Sequence, residues 1–137
     1  MAKLGDTTFF GASRTVYKFG VFNHDSNFKD TVPAVYVLCT TNEKGQHKPV
    51  YVGETDKLGI EIPRRNVSSA AQDHGVMHIC VHLDADEGSR RSKASDLMAY
   101  YEPSGNSEKP FGAMSDRVAY SIPASACEQL SLVSHQR

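Results

Sequence analysis

The chain has 137 residues, of which 39% are hydrophobic and 23% are charged, and its formal net charge is −1. This composition is typical of a soluble globular domain and excludes a disordered chain. A near-neutral charge gives the whole molecule no attraction to nucleic acid or to an anionic membrane, so such binding would require a local patch. No apolar run approaches the roughly 20 residues that span a bilayer, and the first residues lead into no signal-peptide core. We therefore expect no membrane association.

Two strand-like segments, residues 7–10 and 15–22, come first in the chain. In the second segment Tyr17, Phe19 and Val21 alternate with residues that are mostly polar or small. Alternation with a period of two predicts a strand that buries one face.

The next stretch has two apolar runs, residues 34–38 and 49–53, joined by a polar segment. Branched and aromatic residues favour strands, and the Asn-Glu-Lys-Gly sequence between the runs favours a turn, so we predict a β-hairpin. Each strand carries one tyrosine, Tyr36 or Tyr51. The second strand ends at Gly53, where the missing side chain lets another group approach the backbone closely.

Helix and strand signals alternate in the second half of the chain. Pro63 is tolerated only in a first turn, so the first helix should start near Ile62, and Ser89 can cap the second helix. The predicted elements are a helix over 60–73, a strand over 77–83, a helix over 89–101, a strand over 117–122 and a short helix over 124–133. This order predicts one compact domain of the α/β or α+β class. Its small central sheet, mixed or antiparallel, has at least three strands and is flanked by helices.

Histidine and cysteine alternate on the predicted strand 77–83. His78, Cys80 and His82 share one face, and together with His74 they are candidate zinc ligands. The alternative is a polar or half-buried sheet face, since residues two apart on a strand converge poorly on one ion. The cysteine count is three, without a short-spaced pair, which favours reduced thiols and a cytoplasmic location.

Several of these segments together resemble the GIY-YIG nuclease family. The resemblance rests on Tyr36 and the Tyr51-Val52-Gly53 run, on the strand around Cys80, on the block 96–103 and on Asn106. It covers residues 34–106. Residues 1–33 form an amino-terminal extension, of which residues 7–22 resemble the added strand of some small stand-alone members, and residues 107–137 form a carboxy-terminal extension. The resemblance implies hydrolysis of phosphodiester bonds in DNA, rather than RNA, with Mg²⁺ or Mn²⁺ as the cofactor.

The resemblance also implies roles for four residues. Tyr36 would help to deprotonate the attacking water or act beside it, and Tyr51 would orient the phosphate or the water. Gly53 would leave room for the substrate beside the strand end, and Asn106 would support the site structurally.

Two expected residues depart from the family pattern. The helical arginine that neutralises the phosphate falls on Glu61 in register, so Arg64, one turn later, is the candidate catalytic arginine and Arg65 a substitute. The metal-binding glutamate falls on Ala94, whose methyl group binds no metal, and Asp96 points about 200° away around the helix.

Five basic residues could form a cationic rim for a phosphate backbone, and the alternative is a solvated helix face. They are Arg64, Arg65, Arg90, Arg91 and Lys93. The sequence leaves three functions open: a nucleic-acid-binding protein with impaired or lost hydrolysis, which we favour; an active metal-dependent DNA endonuclease with relocated residues; and a non-enzymatic module on the same fold that binds a protein partner.

Overall fold

The computed structural model describes residues 3–64, 75–103, 106 and 119–123, the last range by its backbone alone. The elements are β1 (Gly5–Phe10), β2 (Val16–Asn23), β3 (Ala34–Thr41), β4 (Gln46–Thr55), α1 (Leu58–Arg64), β5 (His78–Leu83), α2 (Glu87–Tyr101) and β6 (Ala119–Pro123). The predicted hairpin is confirmed as β3 and β4, and residues 65–74 and 124–133 of the predicted helices lie outside the described residues.

The strands form one curled antiparallel sheet in the order β1-β2-β5-β3-β4, with two helices packed against it. The prediction of an α+β domain with a central sheet flanked by helices is therefore confirmed, and of the two sheet types that the sequence left open the structure has the antiparallel one. Strand β6 pairs with β1 and with β4, so it joins the two outer strands. Neither helix in the described part of the chain has both the length and the apolar surface that crossing a membrane would require.

Strand register aligns five residues in one row across the five long strands. They are Asp6, Gly20, Val81, Tyr36 and Gly53, each directly opposite the next. The row places the hairpin tyrosine of β3 beside the glycine that ends the apolar run of β4.

The sheet is covered on both faces, because alternate residues of each strand enter different apolar clusters. On β3, Val35 and Val37 enter a cluster with Ala94 and Leu97 of α2. Tyr36 enters the cluster on the other face, which includes residues of α1. Ala94 and Leu97 of α2 therefore lie on the opposite side of the sheet from the side chain of Tyr36.

Both helices begin earlier than the sequence predicts. In α1, Leu58 is buried and donates its amide to the Val32 carbonyl at 3.0 Å, so the helix starts there and Pro63 lies inside it. In α2, Asp86 is the N-cap, and its carboxylate accepts the Ser89 amide at 2.7 Å. Both helices start early for the same reason: a hydrogen bond fixes the backbone before the first residue of the apolar repeat from which the helix was predicted.

Candidate functional site

The two tyrosines named by the sequence lie together on the α1 face of the sheet. Their ring centroids are 5.9 Å apart, with 35° between the ring planes. Tyr36 is 0% exposed and Tyr51 is half-buried. The strand register explains the contact, because Tyr51 faces Leu38 and so lies diagonally across from Tyr36.

Gly53 has no side chain because the Tyr36 ring fills the adjacent space. A Cβ atom built at Gly53 would lie 2.6 Å from both Cζ and the hydroxyl oxygen of Tyr36, which is too close for carbon or oxygen. The space that the resemblance reserves for a substrate beside this glycine is therefore taken by the protein's own ring.

The hydroxyl of Tyr36 is held by a carboxylate. It donates to Oε2 of Glu61 at 2.8 Å. Glu61 is in the first turn of α1, which is fixed to the sheet by the buried side chains of Leu58 and Ile62. The residue that stands where the family has an arginine is thus in direct contact with the first tyrosine, and it brings a negative charge.

The candidate catalytic arginine, Arg64, is exposed at the carboxy-terminal end of α1. It is three residues from Glu61 and so projects from a neighbouring part of the helix surface. Arg65 lies outside the described residues.

The cations of α2 are matched by carboxylates. Arg90 is 4% exposed, and its Nε donates to Glu54 Oε1 at 2.9 Å while its Nη1 donates to two backbone carbonyls. Arg91 is exposed and pairs with Glu87 at 2.5 Å and with Glu54 at 3.7 Å. Burial against the end of β4 therefore removes Arg90 from the surface, where a cationic rim would need it, and also excludes the solvated-face alternative for this residue.

Lys93 completes this pattern of pairing. Its Nζ lies 2.8 Å from Asp84 Oδ2. The hydrogen bonds from Lys93 and Ser89 hold the pKa of Asp84 well below its usual range. The positive charge that the sequence concentrates on α2 is therefore largely neutralised within the fold.

Asn106 clamps the backbone of β4 between Tyr51 and Gly53. Its Oδ1 accepts the Val52 amide at 2.7 Å, and its Nδ2 donates to the Val52 carbonyl at 2.7 Å. Both bonds act on the main chain, so this side chain fixes the strand that carries the second tyrosine.

The residues present do not fit the Mg²⁺ or Mn²⁺ that the resemblance implies. Ala94 is 3% exposed and belongs to the cluster on the α2 face, with the sheet between it and Tyr36. Within the described ranges, no group of three or more histidine, cysteine, aspartate or glutamate side chains is arranged to hold a metal ion.

The candidate zinc ligands on β5 have separate partners. His78 Nδ1 lies 2.6 Å from the Thr41 hydroxyl, and Cys80 Sγ lies 3.7 Å from Cys39 Sγ. The His82 ring donates Nδ1–H to the Lys18 carbonyl at 2.8 Å and accepts Lys93 Nζ at Nε2. Burial raises the pKa of Cys80 and lowers that of His78. His78 and Cys80 are linked through Thr41, His47 and Cys39, because His47 Nδ1 lies 2.7 Å from the Thr41 hydroxyl and 3.8 Å from Cys39 Sγ. His82 has partners of its own, and His74 lies outside the described residues.

Glu54 is the site residue that the sequence does not single out. It follows Gly53 directly and receives both Arg90 and Arg91. Its position after the second hairpin strand is visible in the sequence, but its partners on α2 depend on how that helix crosses the sheet.

Comparison with known proteins adds no relative to this description. No protein-family model matches the chain. No curated protein matches it. No solved structure matches it. The resemblance to GIY-YIG nucleases is therefore carried by the sequence segments alone and stays a prediction.

Proposed function

We propose that this chain is a GIY-YIG-like protein that binds nucleic acid, DNA rather than RNA, and has lost most or all phosphodiester hydrolysis. The hydrogen bond from Tyr36 to Glu61 carries the proposal. A tyrosine that assists an attacking water must present its hydroxyl to that water. Here the hydroxyl is buried and already donates to a carboxylate.

The charge of Glu61 supports the same conclusion. Phosphoryl transfer needs positive charge where the equatorial oxygens become more negative. Like charges 4 Å apart at an effective dielectric constant of 20 repel by about 4 kcal/mol. A phosphate placed beside the Tyr36 hydroxyl would meet the Glu61 carboxylate, so Glu61 opposes the reaction that the family arginine would promote.

The remaining exposed cations support the binding part of the proposal. Arg64 and Lys57 lie at opposite ends of α1 and are exposed. In the ranges that the structure describes, neither side chain has a carboxylate partner. They therefore remain available to phosphate oxygens near the tyrosine face.

The buried thiols of Cys39 and Cys80 form no disulfide, which suits a cytoplasmic protein.

Binding is tested with a fluorescein-labelled DNA duplex at several salt concentrations. We expect the affinity of the unmodified chain to fall steeply as the salt concentration rises. At a fixed salt concentration, Arg64→Ala and Lys57→Ala should each bind more weakly than Lys44→Ala, the control, whose lysine lies in the β3–β4 turn. Affinity that is indifferent to salt would contradict the proposal.

Cleavage of the same duplex, with and without Mg²⁺ or Mn²⁺, separates this proposal from an active endonuclease. We expect no cutting above the rate without protein. Metal-dependent cutting that Tyr51→Phe abolishes would instead show a working active site.

A protein-binding module is the second candidate, and a surface groove favours it. The groove has a volume of about 340 Å³, and Leu83 at its rim is 70% exposed. Lys18 also lines it, so an apolar peptide with an acidic residue would match its chemistry. Leu83→Ser should leave DNA affinity unchanged if nucleic acid is the ligand of the tyrosine face. The apolar residues that line the groove are Phe22, Phe28, Val32, Leu58, Val81 and Leu83.

A further inference from the structure

The turn between β1 and β2 places an arginine where glycine is normally favoured. Arg14 donates its amide to the Gly11 carbonyl, and Gly11 donates to the Thr15 carbonyl, both at 2.9 Å. These bonds define a three-residue hairpin loop whose last position requires a left-handed backbone. Arg14 has φ 73°, a conformation that costs a non-glycine residue stability. The chain keeps a long cationic side chain at a position where glycine would fold more easily.

Helix α2 fixes this turn in place. The Asp96 carboxylate accepts the Ser13 amide at 2.8 Å, the Ser13 hydroxyl at 2.6 Å and the Tyr17 hydroxyl at 2.7 Å. A side chain at Gly11 would overlap that carboxylate, so the turn is packed directly against the helix. Arg14 is therefore presented from a rigid support.

Two aromatic rings lie beside the turn. Phe10 is 40% exposed, and its ring centroid lies 6.3 Å from that of Tyr100 with 55° between the planes. The backbone amide of Phe10 donates to the Tyr101 hydroxyl at 3.0 Å, which holds the strand end against α2. The two rings and the turn line a shallow cleft of about 480 Å³, whose lining residues are Phe10, Gly11, Ala12, Arg14 and Tyr100.

Arg14 differs from the arginines of α2 in its charge environment. Arg90 and Arg91 are paired with glutamates, whereas Arg14 is exposed and has no carboxylate partner in the described part of the chain. The nearby Asp96 carboxylate is directed at Ser13 and Tyr17. An exposed guanidinium beside the exposed Phe10 ring and the partly buried Tyr100 ring suits a ligand that is both flat and anionic.

We propose that this cleft binds one nucleotide of an unpaired nucleic-acid strand. The base stacks on the exposed ring of Phe10 with Tyr100 at its edge, and the Arg14 guanidinium donates to the phosphate. Stacking accepts any base, so we expect little sequence preference. The ligand class rests on the proposed function, but the described part of the cleft is formed by β1, its turn and α2, and none of the lining residues named above belongs to the tyrosine site.

Fluorescence anisotropy of a labelled ten-nucleotide deoxythymidine strand, titrated with the whole chain, tests the proposal. We expect Arg14→Gly to lower the affinity about tenfold while its midpoint of thermal unfolding stays the same or rises, because glycine relieves the strained backbone. Phe10→Leu keeps an apolar side chain but removes the stacking ring, and should also weaken binding several-fold. Lys44→Ala, which removes a charge from another turn, is the matched control.

Competition with thymidine monophosphate identifies the size of the ligand. Competition that Arg14→Gly abolishes shows that a single nucleotide occupies the cleft. Binding of the strand alone, with the same dependence on Arg14 and Phe10, shows that neighbouring phosphates contribute; both results support the proposal.

Affinity for the strand that is unchanged in Arg14→Gly and in Phe10→Leu would overturn the cleft. The proposed function would survive that result if duplex binding still depended on salt and on Arg64. Failure of the unmodified chain to bind either duplex or strand at low salt would overturn both.

Discussion

The side chain of Tyr36 on β3 donates its hydroxyl to Glu61 on α1, and this bond joins the sheet to the helix that covers it. The tyrosine is fully buried, and its ring occupies the space beside Gly53. In a nuclease these three positions would face a substrate. Here the Tyr36 ring fills the space beside Gly53 and its hydroxyl donates to Glu61, so the three positions pack against one another.

Replacing Tyr36 by phenylalanine should therefore affect stability. The variant removes a charge-assisted hydrogen bond from a buried position, so we expect the free energy of unfolding to fall by about 1.5–3 kcal/mol. Urea denaturation measures the change. In the double variant Tyr36→Phe/Glu61→Gln the loss should be smaller than the sum of the two single losses. Additive losses would show that the two side chains do not interact.

Gly53→Ala should destabilise the fold by about 1–3 kcal/mol, because the added methyl group enters the space of the Tyr36 ring. Gly88→Ala is the matched control. Its Cβ would meet Asp86 Oδ2 at 3.5 Å, an ordinary contact, and alanine is the better helix former by up to about 1 kcal/mol. Thermal unfolding of both variants decides the point, and equal effects would argue against the close contact at Gly53.

Asn106→Asp tests the clamp on β4. An aspartate keeps an acceptor for the Val52 amide but loses the donor to the Val52 carbonyl and places a carboxylate against it. We expect a loss of about 1–3 kcal/mol in chemical denaturation at neutral pH. Asn27→Asp makes the same change on an exposed residue and should alter stability by less than about 0.5 kcal/mol.

Asp96 should make folding stability depend on acid pH. Burial raises the pKa of this carboxyl, but the hydrogen bonds from Ser13, Tyr17 and backbone amides outweigh burial and lower it below the ordinary value of 3.8. In the pH range around 3.8 and below, the unfolded chain then binds the proton more readily than the folded one. The stability that Asp96 contributes is thus present above that value and is lost as the pH falls through and below it.

The measurement is the midpoint of thermal unfolding between pH 2 and pH 6. The unmodified chain should lose stability more steeply on acidification than Asp96→Asn does. The exposed variant Asp56→Asn should keep the full slope. Parallel curves for the unmodified chain and Asp96→Asn would contradict the expected linkage.

Ala94→Glu should neither create a metal site nor restore cleavage. The position is 3% exposed within the apolar cluster on the α2 face, so the variant buries a carboxyl group and should cost several kcal/mol. Ala99→Glu, on the exposed side of the same helix, should be close to neutral. Thermal unfolding and a Mg²⁺- or Mn²⁺-dependent cleavage assay on both variants give the test. Cutting gained by Ala94→Glu alone would show that the metal position is still functional.

The sequence was sufficient to predict the strands and the fold class. Alternation of Tyr17, Phe19 and Val21 identified β2, and the two tyrosine-bearing runs identified the β3–β4 hairpin. Both signals are local, because a strand that buries one face must repeat its apolar residues with a period of two.

The arrangement of the site could not be predicted in the same way. Whether Tyr36 and Ala94 share a side of the sheet depends on which face α2 covers, and no local pattern specifies that. The sequence around Arg90 does not distinguish it from an exposed arginine. Its burial depends on Glu54, which is 36 residues away in the chain. Helix register also decides that Glu61, rather than Arg64 one turn later, lies at the Tyr36 hydroxyl.

The pairing of residues 119–123 with both β1 and β4 affects how the molecule can be assembled. Until these five residues have been synthesised, a growing chain has two outer strands whose backbone donors and acceptors lack this partner. Unpaired strand edges are templates for pairing with another chain. A chain interrupted before residue 119 would therefore be at risk of exchanging strands with a neighbour, and residues 119–123 protect both outer strands from that exchange once they are made.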